Sequence, residues 1–231
     1  MKRIGLIGGM SWESTAVYYR LLNQSARARL GGQNCAPLVL WNVDFAKISA
    51  LQHSGDWQAT AALLIEGAER LERAGAECIL ICTNTMHKVA EEVQARVQIP
   101  LLHLIDIVAH EILARGMKRV GLLGTQFTMS ESFYAERLAS HGIDTMVPST
   151  SSQAEIHRVI YEELCQGECS KKSKQFYLNE VEKLSARGAQ GIILGCTEIG
   201  LLISQENTPI PLLDTTALHV NAALDFVLTD A

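Results

Sequence analysis

The chain has 231 residues, 48% of them hydrophobic, 19% charged and 6% aromatic, a globular composition long enough for one large domain or two smaller ones. Its 25 acidic and 20 basic residues give a formal net charge of −5, so the basic face of a general nucleic-acid binder is missing. No apolar run of about 18 residues is available to span a bilayer, and Met1-Lys2-Arg3 leads directly into the apolar stretch 4–7 without a signal-peptide cleavage site; a soluble, cytoplasmic protein with no nucleic-acid or membrane partner is expected.

In chain order the apolar periodicity predicts a strand over 3–7, a helix over 14–29, a strand over 38–41, a helix over 57–74, and strands over 78–82 and 101–104. It continues with a strand at 120–123, a helix at 131–141, a strand at 145–147, helices at 153–165 and 173–187, and strands at 191–194 and 211–213. Short β-rich runs alternating with longer amphipathic ones are the pattern of parallel sheets covered by helices, so the fold class is α/β. The six cysteines, at 35, 78, 82, 165, 169 and 196, fall mostly in apolar stretches of a chain without an export signal and read as reduced thiols. Cys165 and Cys169 stand four apart on a predicted helix, but no second Cys or His pair completes a metal site, and no metal is expected.

The chain repeats itself once. Lys2-Arg3-Ile4-Gly5-Leu6-Ile7-Gly8 returns as Lys118-Arg119-Val120-Gly121-Leu122-Leu123-Gly124, and ERLERAGAECILICTNT, ending at Thr85, returns as VEKLSARGAQGIILGCTE, ending at Glu198. Ile99-Pro100-Leu101-Leu102 is echoed by Ile210-Pro211-Leu212-Leu213; the three offsets are 116, 113 and 111 residues. Two copies of one α/β unit are implied, an N-terminal lobe over 1–115 and a C-terminal lobe over 116–231, either of which can exchange terminal helices with the other. Ligands of open α/β sheets bind beyond the carboxyl ends of the strands, so the active site is expected in the cleft between the lobes.

In register, the loop after the third strand of each copy aligns without a gap, Cys82-Thr83-Asn84-Thr85 against Gly195-Cys196-Thr197-Glu198, and Thr83 matches Cys196. Both stand where an apolar strand gives way to a polar loop. Two proton-carrying side chains on opposite sides of a ligand suit one reaction class, removal of a proton from one face of a tetrahedral carbon and delivery to the other. A cysteine serves as the base because its ordinary pKa of about 8.5 can be lowered by its surroundings. A threonine hydroxyl is a poor base yet can hand a proton to a carbanion, so a Thr/Cys pair works better from one enantiomer. Gly5, Gly8 and Gly9 fit neither GxGxxG nor a P-loop, and read as backbone turning room. Cys82 alternates away from Thr83 along the strand and reads as a core thiol.

GLIGGMSWEST at 5–15, CTNTMH at 82–87, LLGT at 122–125 and GCTEIG at 195–200 resemble the aspartate/glutamate racemase family of cofactor-independent amino-acid racemases, over essentially the whole chain. The resemblance implies two pseudo-twofold lobes with one catalytic residue each. It places the family's first catalytic cysteine on Thr83, a departure, and its second on Cys196, a pairing similar to that of members favouring L-amino acids. It further implies that Asn84, Thr85 and Thr197 hold the α-carboxylate, that Met10 and Thr125 line the pocket, and that Glu198 either binds the substrate ammonium or caps the following helix. His87 is either structural or an aid to acidity at the site. A small-molecule amino-acid substrate, no cofactor such as pyridoxal phosphate, and a homodimer follow from the same resemblance.

Members acting on aspartate grip the second carboxylate with basic residues. Here the corresponding stretches read Ala50-Leu51-Gln52-His53 and Glu163-Leu164-Cys165-Gln166-Gly167, with Lys47, Arg158 and Lys171 only nearby. The choice is between L-aspartate/L-glutamate and a broader set of amino acids, with Gln52 as the side-chain contact. Because Thr83 breaks the thiol symmetry, a related cysteine-dependent isomerase or decarboxylase acting on a maleate-like or hydantoin-like substrate stays open, as does a catalytically silent amino-acid-binding protein. Covalent adducts on Cys196 mark the former, and binding without α-proton exchange the latter.

Overall fold

The computed structural model describes residues 1–229, which divide by packing into two compact units. The first comprises Met1–Leu104 together with the segment from His219 onward, and the second Ile105–Leu218. The boundary thus falls before the helix Leu104–Ala114 has properly begun, and the last helix, Thr215–Leu228, delivers its final turns to the first unit. The reason is apolar cover: Val220, Ala223, Leu224 and Val227 complete a buried cluster with Ile4, Leu6, Tyr18 and Leu22.

The first unit holds a parallel sheet of β1 (Ile4–Gly8), β2 (Leu38–Asn42) and β3 (Cys78–Ile81) in the order β2-β1-β3. Side chains alternate across it as the pleat requires. Ile4, Leu6, Cys78, Leu80 and Cys82 face the helix Trp12–Leu30, while Ile7, Ile79 and Ile81 share a second buried cluster with Ile48, Leu64, Ala68 and Leu71. Both faces are covered, which is why these strands read as continuous apolar runs rather than alternating ones. The second unit holds a parallel sheet of β4 (Arg119–Gly124), β5 (Asp144–Met146), β6 (Ile192–Gly195) and β7 (Leu212–Asp214) in the order β5-β4-β6-β7. The α/β class holds, with two parallel sheets flanked by helices.

The internal repeat is visible in the hydrogen bonds. Glu77 N–H donates to Arg3 O at 2.8 Å and Gln190 N–H to Arg119 O at 2.9 Å; Ile79 N–H donates to Pro100 O at 2.9 Å and Ile192 N–H to Pro211 O at 2.8 Å. Gly5 and Gly121 occupy equivalent points of close approach, since a Cβ on either would lie 3.3 Å from the Cβ of the equivalent leucines Leu71 and Leu184. The helices Trp57–Arg73 and Lys171–Ala186 pass so near the central strands that a side chain at either glycine would press on them.

Two expectations change. The strand expected at 101–104 is reduced to a single parallel bridge, Ile79 with Leu101, because the helix Leu104–Ala114 starts before a ladder can form. The helix expected at 153–165 runs over Thr150–Glu162 behind an N-cap in which Ser149 Oγ accepts from Ser152 N. Cys165 therefore lies in a 3-10 turn, Leu164–Gln166, closed by Gly167 in the left-handed region, and does not share a helix face with Cys169. Helices Phe45–Ser54, Ala90–Gln94, Gln126–Ser130 and Thr215–Leu228 carry too little apolar periodicity to be read in advance. No helix among the described residues is long and apolar enough to cross a membrane.

Candidate functional site

In each sheet the strand order reverses beside the first strand of the unit, and ligands of open α/β sheets bind at the carboxyl ends flanking such a switch. In the first unit the switch lies between β1 and β3, whose ends lead into Met10 and Thr83; in the second it lies between β4 and β6, whose ends lead into Thr125 and Cys196. Each of these four residues was singled out in the sequence.

The loop after β1 is tightly tied. Gly9 N–H donates to Thr15 Oγ1 at 2.8 Å, Thr15 Oγ1 donates to Ser11 O at 2.9 Å, and Ser11 Oγ accepts from Ser14 N at 3.2 Å as the cap of the helix Trp12–Leu30. The Met10–Ser11 peptide is cis. Met10 is buried in the cluster of Ile48 and Met86. Gln52, on the helix Phe45–Ser54, is buried beside the same methionine: its Nε2 donates to Met86 Sδ at 3.0 Å, while its Oε1 is buried with no hydrogen-bond partner. Met10, Gln52 and the Met86 turn are thus brought together at the carboxyl end of the first sheet.

After β3, Thr83 N–H donates to Ile81 O at 2.8 Å and the chain bends into the short 3-10 helix Thr85–Val89. Thr83 is half-buried, Asn84 and Thr85 buried. Cys82 lies wholly within the apolar cluster of Ile4, Leu6 and Tyr18, where burial pushes its thiol far up. Alternation accounts for this: Cys82 continues the side of Cys78 and Leu80, opposite Ile79 and Ile81.

Beside Thr83 stands a histidine cluster, with His87 and His219 buried and His103 half-buried, that sequence reasoning missed except for His87. His87 Nδ1–H donates to the Thr83 carbonyl at 2.9 Å, and its ring meets His103 edge-on at 5.0 Å and His219 at 5.8 Å. His219 Nε2–H donates to Leu102 O at 2.7 Å, which leaves Nδ1 to accept from the Tyr18 hydroxyl at 2.9 Å. Burial and the neighbouring His87 push the His219 imidazole down to about 3. These partners come from four separate segments, so no local spacing announces them.

In the second unit Thr125 caps the short helix Gln126–Ser130, its Oγ1 accepting from Thr128 N at 3.3 Å. The next backbone amide, Gln126 N–H, donates to His157 Nδ1 at 3.2 Å. After β6, Cys196 Sγ donates to Glu198 Oε2 at 3.0 Å, and the Cys165 thiol approaches Glu198 Oε1 at 3.8 Å. Glu198 is buried, opens the helix Ile199–Leu202, and makes no side-chain cap to it. Of the two sequence readings for Glu198, the helix cap is therefore not what its side chain does; its carboxylate receives thiols. Burial and the Glu198 carboxylate together hold the Cys196 thiol well above its ordinary range. Cys196 and Thr197 stay partly exposed.

The nearby basic residues are otherwise occupied or exposed. Arg158 makes ion pairs with Glu155 at 2.9 Å, Glu162 at 3.2 Å and Glu163 at 2.9 Å, and Lys47 and Lys171 are exposed on their helices. Among the described residues no group of three or more His, Cys, Asp or Glu side chains is placed to hold a metal ion.

Comparison with known proteins bears on the whole chain. A broad-specificity amino-acid racemase of Bacillus subtilis is 23% identical over 222 residues, 93% of each chain. A crystal structure from Yersinia pestis assigned to the Asp/Glu racemases is 49% identical, with a TM-score of 0.92, covering 99% of this chain and all of that one. An aspartate racemase homologue from Pyrococcus horikoshii OT3 is 36% identical, with a TM-score of 0.87, over 98% of this chain and 99% of its own. With the Asp/Glu/Hydantoin racemase family model matching residues 7–223, and with both repeat copies carrying their motifs at the strand ends just described, the chain belongs to that family.

Proposed function

We propose that the protein is a cofactor-independent amino-acid racemase that exchanges the α-proton of its substrate through Cys196 and Thr83, one group for each face of the α-carbon. The observation that carries this reading is the Cys196 thiol, on a half-buried residue at the carboxyl end of β6 and 3.0 Å from a buried carboxylate, at the repeat position equivalent to Thr83. A thiol can act as a base only after losing its own proton, and Glu198 Oε2 is an acceptor already within hydrogen-bond reach.

In this mechanism Asn84, Thr85 and Thr197 bind the α-carboxylate, and the Met10 and Thr125 loops enclose the substrate. The arriving ammonium group partly offsets the negative charge of Glu198 and eases ionisation of Cys196. The Cys196 thiolate removes the α-proton from the L face, and the resulting carbanion takes a proton from the Thr83 hydroxyl on the D face, which is then restored from solvent. Preorganised N–H donors around the carboxylate supply the stabilisation of the developing charge.

Gln52 supports the broader branch of substrate choice. Its Nε2 is engaged by Met86 and its unmatched Oε1 is an acceptor, which suits a side chain ending in a hydroxyl or amide donor better than a second carboxylate. The proposal extends to a homodimer working in the cytoplasm on a free amino acid, with sedimentation as the check on assembly. Incubation of pyridoxal-free protein with a panel of L-amino acids, followed by chiral chromatography, tests the activity: D-enantiomer accumulates if the reading holds, and its absence across the panel overturns it.

A further inference from the structure

Two thiols converge on one carboxylate, one of them from 33 residues earlier in the chain: Cys196 Sγ lies 3.0 Å from Glu198 Oε2 and Cys165 Sγ 3.8 Å from Glu198 Oε1. The turn that carries Cys165 is itself fixed. Gln166 N–H donates to Glu163 O at 2.9 Å and Gly167 N–H to Leu164 O at 3.0 Å. The Glu163 carboxylate in turn accepts from Ser173 Oγ at 2.6 Å, Ser170 Oγ at 3.1 Å and Arg158 at 2.9 Å. Cys165 is thus presented to Glu198 by a braced turn.

We propose that Cys165 is a positioning residue, whose thiol holds Oε1 of Glu198 and so keeps Oε2 on the Cys196 sulfur. This inference rests on the reading of Cys196 as the base. The terminal torsion of a glutamate is broad, so a carboxylate anchored at one oxygen has its second oxygen placed as well. A thiol is a weak donor, which suits an orienting contact that leaves the carboxylate ionised and able to accept a proton.

The groups facing Cys196 make that placement consequential. Besides Glu198 and Cys165 they include Tyr161, from the helix Thr150–Glu162, and Tyr177, from the helix Lys171–Ala186. Both phenols are pushed up by burial first, and then by Cys196 with Cys165 and Glu198 around Tyr161 and by Cys196 with Glu163 and Glu155 around Tyr177, so they stay neutral. After burial, the Glu198 carboxylate is the largest influence on the Cys196 thiol, so its position relative to the sulfur bears directly on Cys196 reactivity.

The test is site-resolved alkylation of Cys196 by iodoacetamide, followed by mass spectrometry of its peptide across a range of pH, in the wild type, Cys165→Ala and Cys165→Ser. Cys165→Ala frees the carboxylate, and with the acceptor withdrawn the Cys196 thiol ionises more readily; alkylation near neutral pH rises about threefold, equivalent to a midpoint lowered by about half a pH unit. Cys165→Ser keeps a donor and retains the wild-type profile. Steady-state turnover of an L-substrate falls in Cys165→Ala through kcat, with KM unchanged. An unchanged Cys196 profile in Cys165→Ala, or equal displacement in both variants, overturns the proposal, as does a fall in thermal stability with no change of profile. Alkylation needs no turnover, so a protein that racemises nothing defeats the racemase reading while this experiment still decides the role of Cys165.

Discussion

Cys196 donates its thiol proton to Glu198 Oε2 across 3.0 Å, so the candidate base is held protonated by a carboxylate only two residues further along the chain. The same carboxylate has opposite effects on two measurable properties. As a negative charge it opposes thiolate formation, and as a proton acceptor it helps the thiolate form when substrate binds. Glu198→Gln removes both. Cys196 alkylation near neutral pH is expected to quicken, because only burial and Cys165 then raise the thiol. Turnover is expected to fall by about 10²-fold, the lower end of what an acid–base group contributes. Parallel measurement of alkylation and turnover checks this; if both move the same way, Glu198 does not serve as the acceptor.

The raised Cys196 thiol also sets the pH response of the wild type. Only the thiolate removes a proton, so kcat/KM for an L-substrate is expected to climb with pH from neutral upward instead of levelling off around pH 7. A profile flat through this range would mean that substrate-free Cys196 is already ionised.

Gln52 sets an expectation for specificity. With Oε1 unmatched and Nε2 committed to Met86, L-substrates ending in an amide or hydroxyl should exceed dicarboxylates in kcat/KM by about tenfold, the effect of one buried hydrogen bond. Gln52→Leu keeps the volume and removes the acceptor, and the preference should collapse. A wild-type preference for dicarboxylates, or an unchanged ratio in Gln52→Leu, contradicts the role assigned to Oε1.

His219, buried against Tyr18 and His87, sets an expectation for acid stability. His219 has a folded value near 3 against an ordinary 6.5, so between those limits the unfolded chain binds the extra proton. Stability is therefore full above about pH 6.5 and is lost as pH falls toward 3, by an amount on the order of a few kcal/mol. Urea titrations at successive pH values should show this decline, and His219→Gln, whatever its absolute stability, should show a shallower one. Equal slopes for both proteins would assign the acid sensitivity elsewhere.

Much of the fold, and the placing of the candidate site at the strand ends, was legible because the chain states it twice. Gly5 with Gly121, Arg3 with Arg119, and Pro100 with Pro211 recur in equivalent hydrogen bonds or close approaches, and the same register sets Thr83 against Cys196. Strand alternation likewise separated Cys82 from Thr83, since that rule acts between adjacent residues. The unreadable features depend on where the chain returns. Cys165 reaches Glu198 only because the preceding helix stops at Glu162 and Gly167 closes the turn, and His219 reaches Tyr18 and Leu102 only because the last helix packs on the first sheet. The strand expected at 101–104 failed for a local reason, the onset of the next helix at Leu104, which apolar periodicity does not mark.

The central claim is that Cys196 and Thr83 act on opposite faces of one α-carbon, and it is tested most directly by following deuterium entry and inversion together, from a single L-substrate in deuterated buffer. Cys196→Ser should lose both. Thr83→Ala should still take up deuterium with the L configuration retained, while inversion drops by about 10²- to 10⁴-fold, the contribution of one general acid. Inversion at the wild-type rate in Thr83→Ala, or deuterium entry that survives in Cys196→Ser, would contradict the assignment of one group to each face.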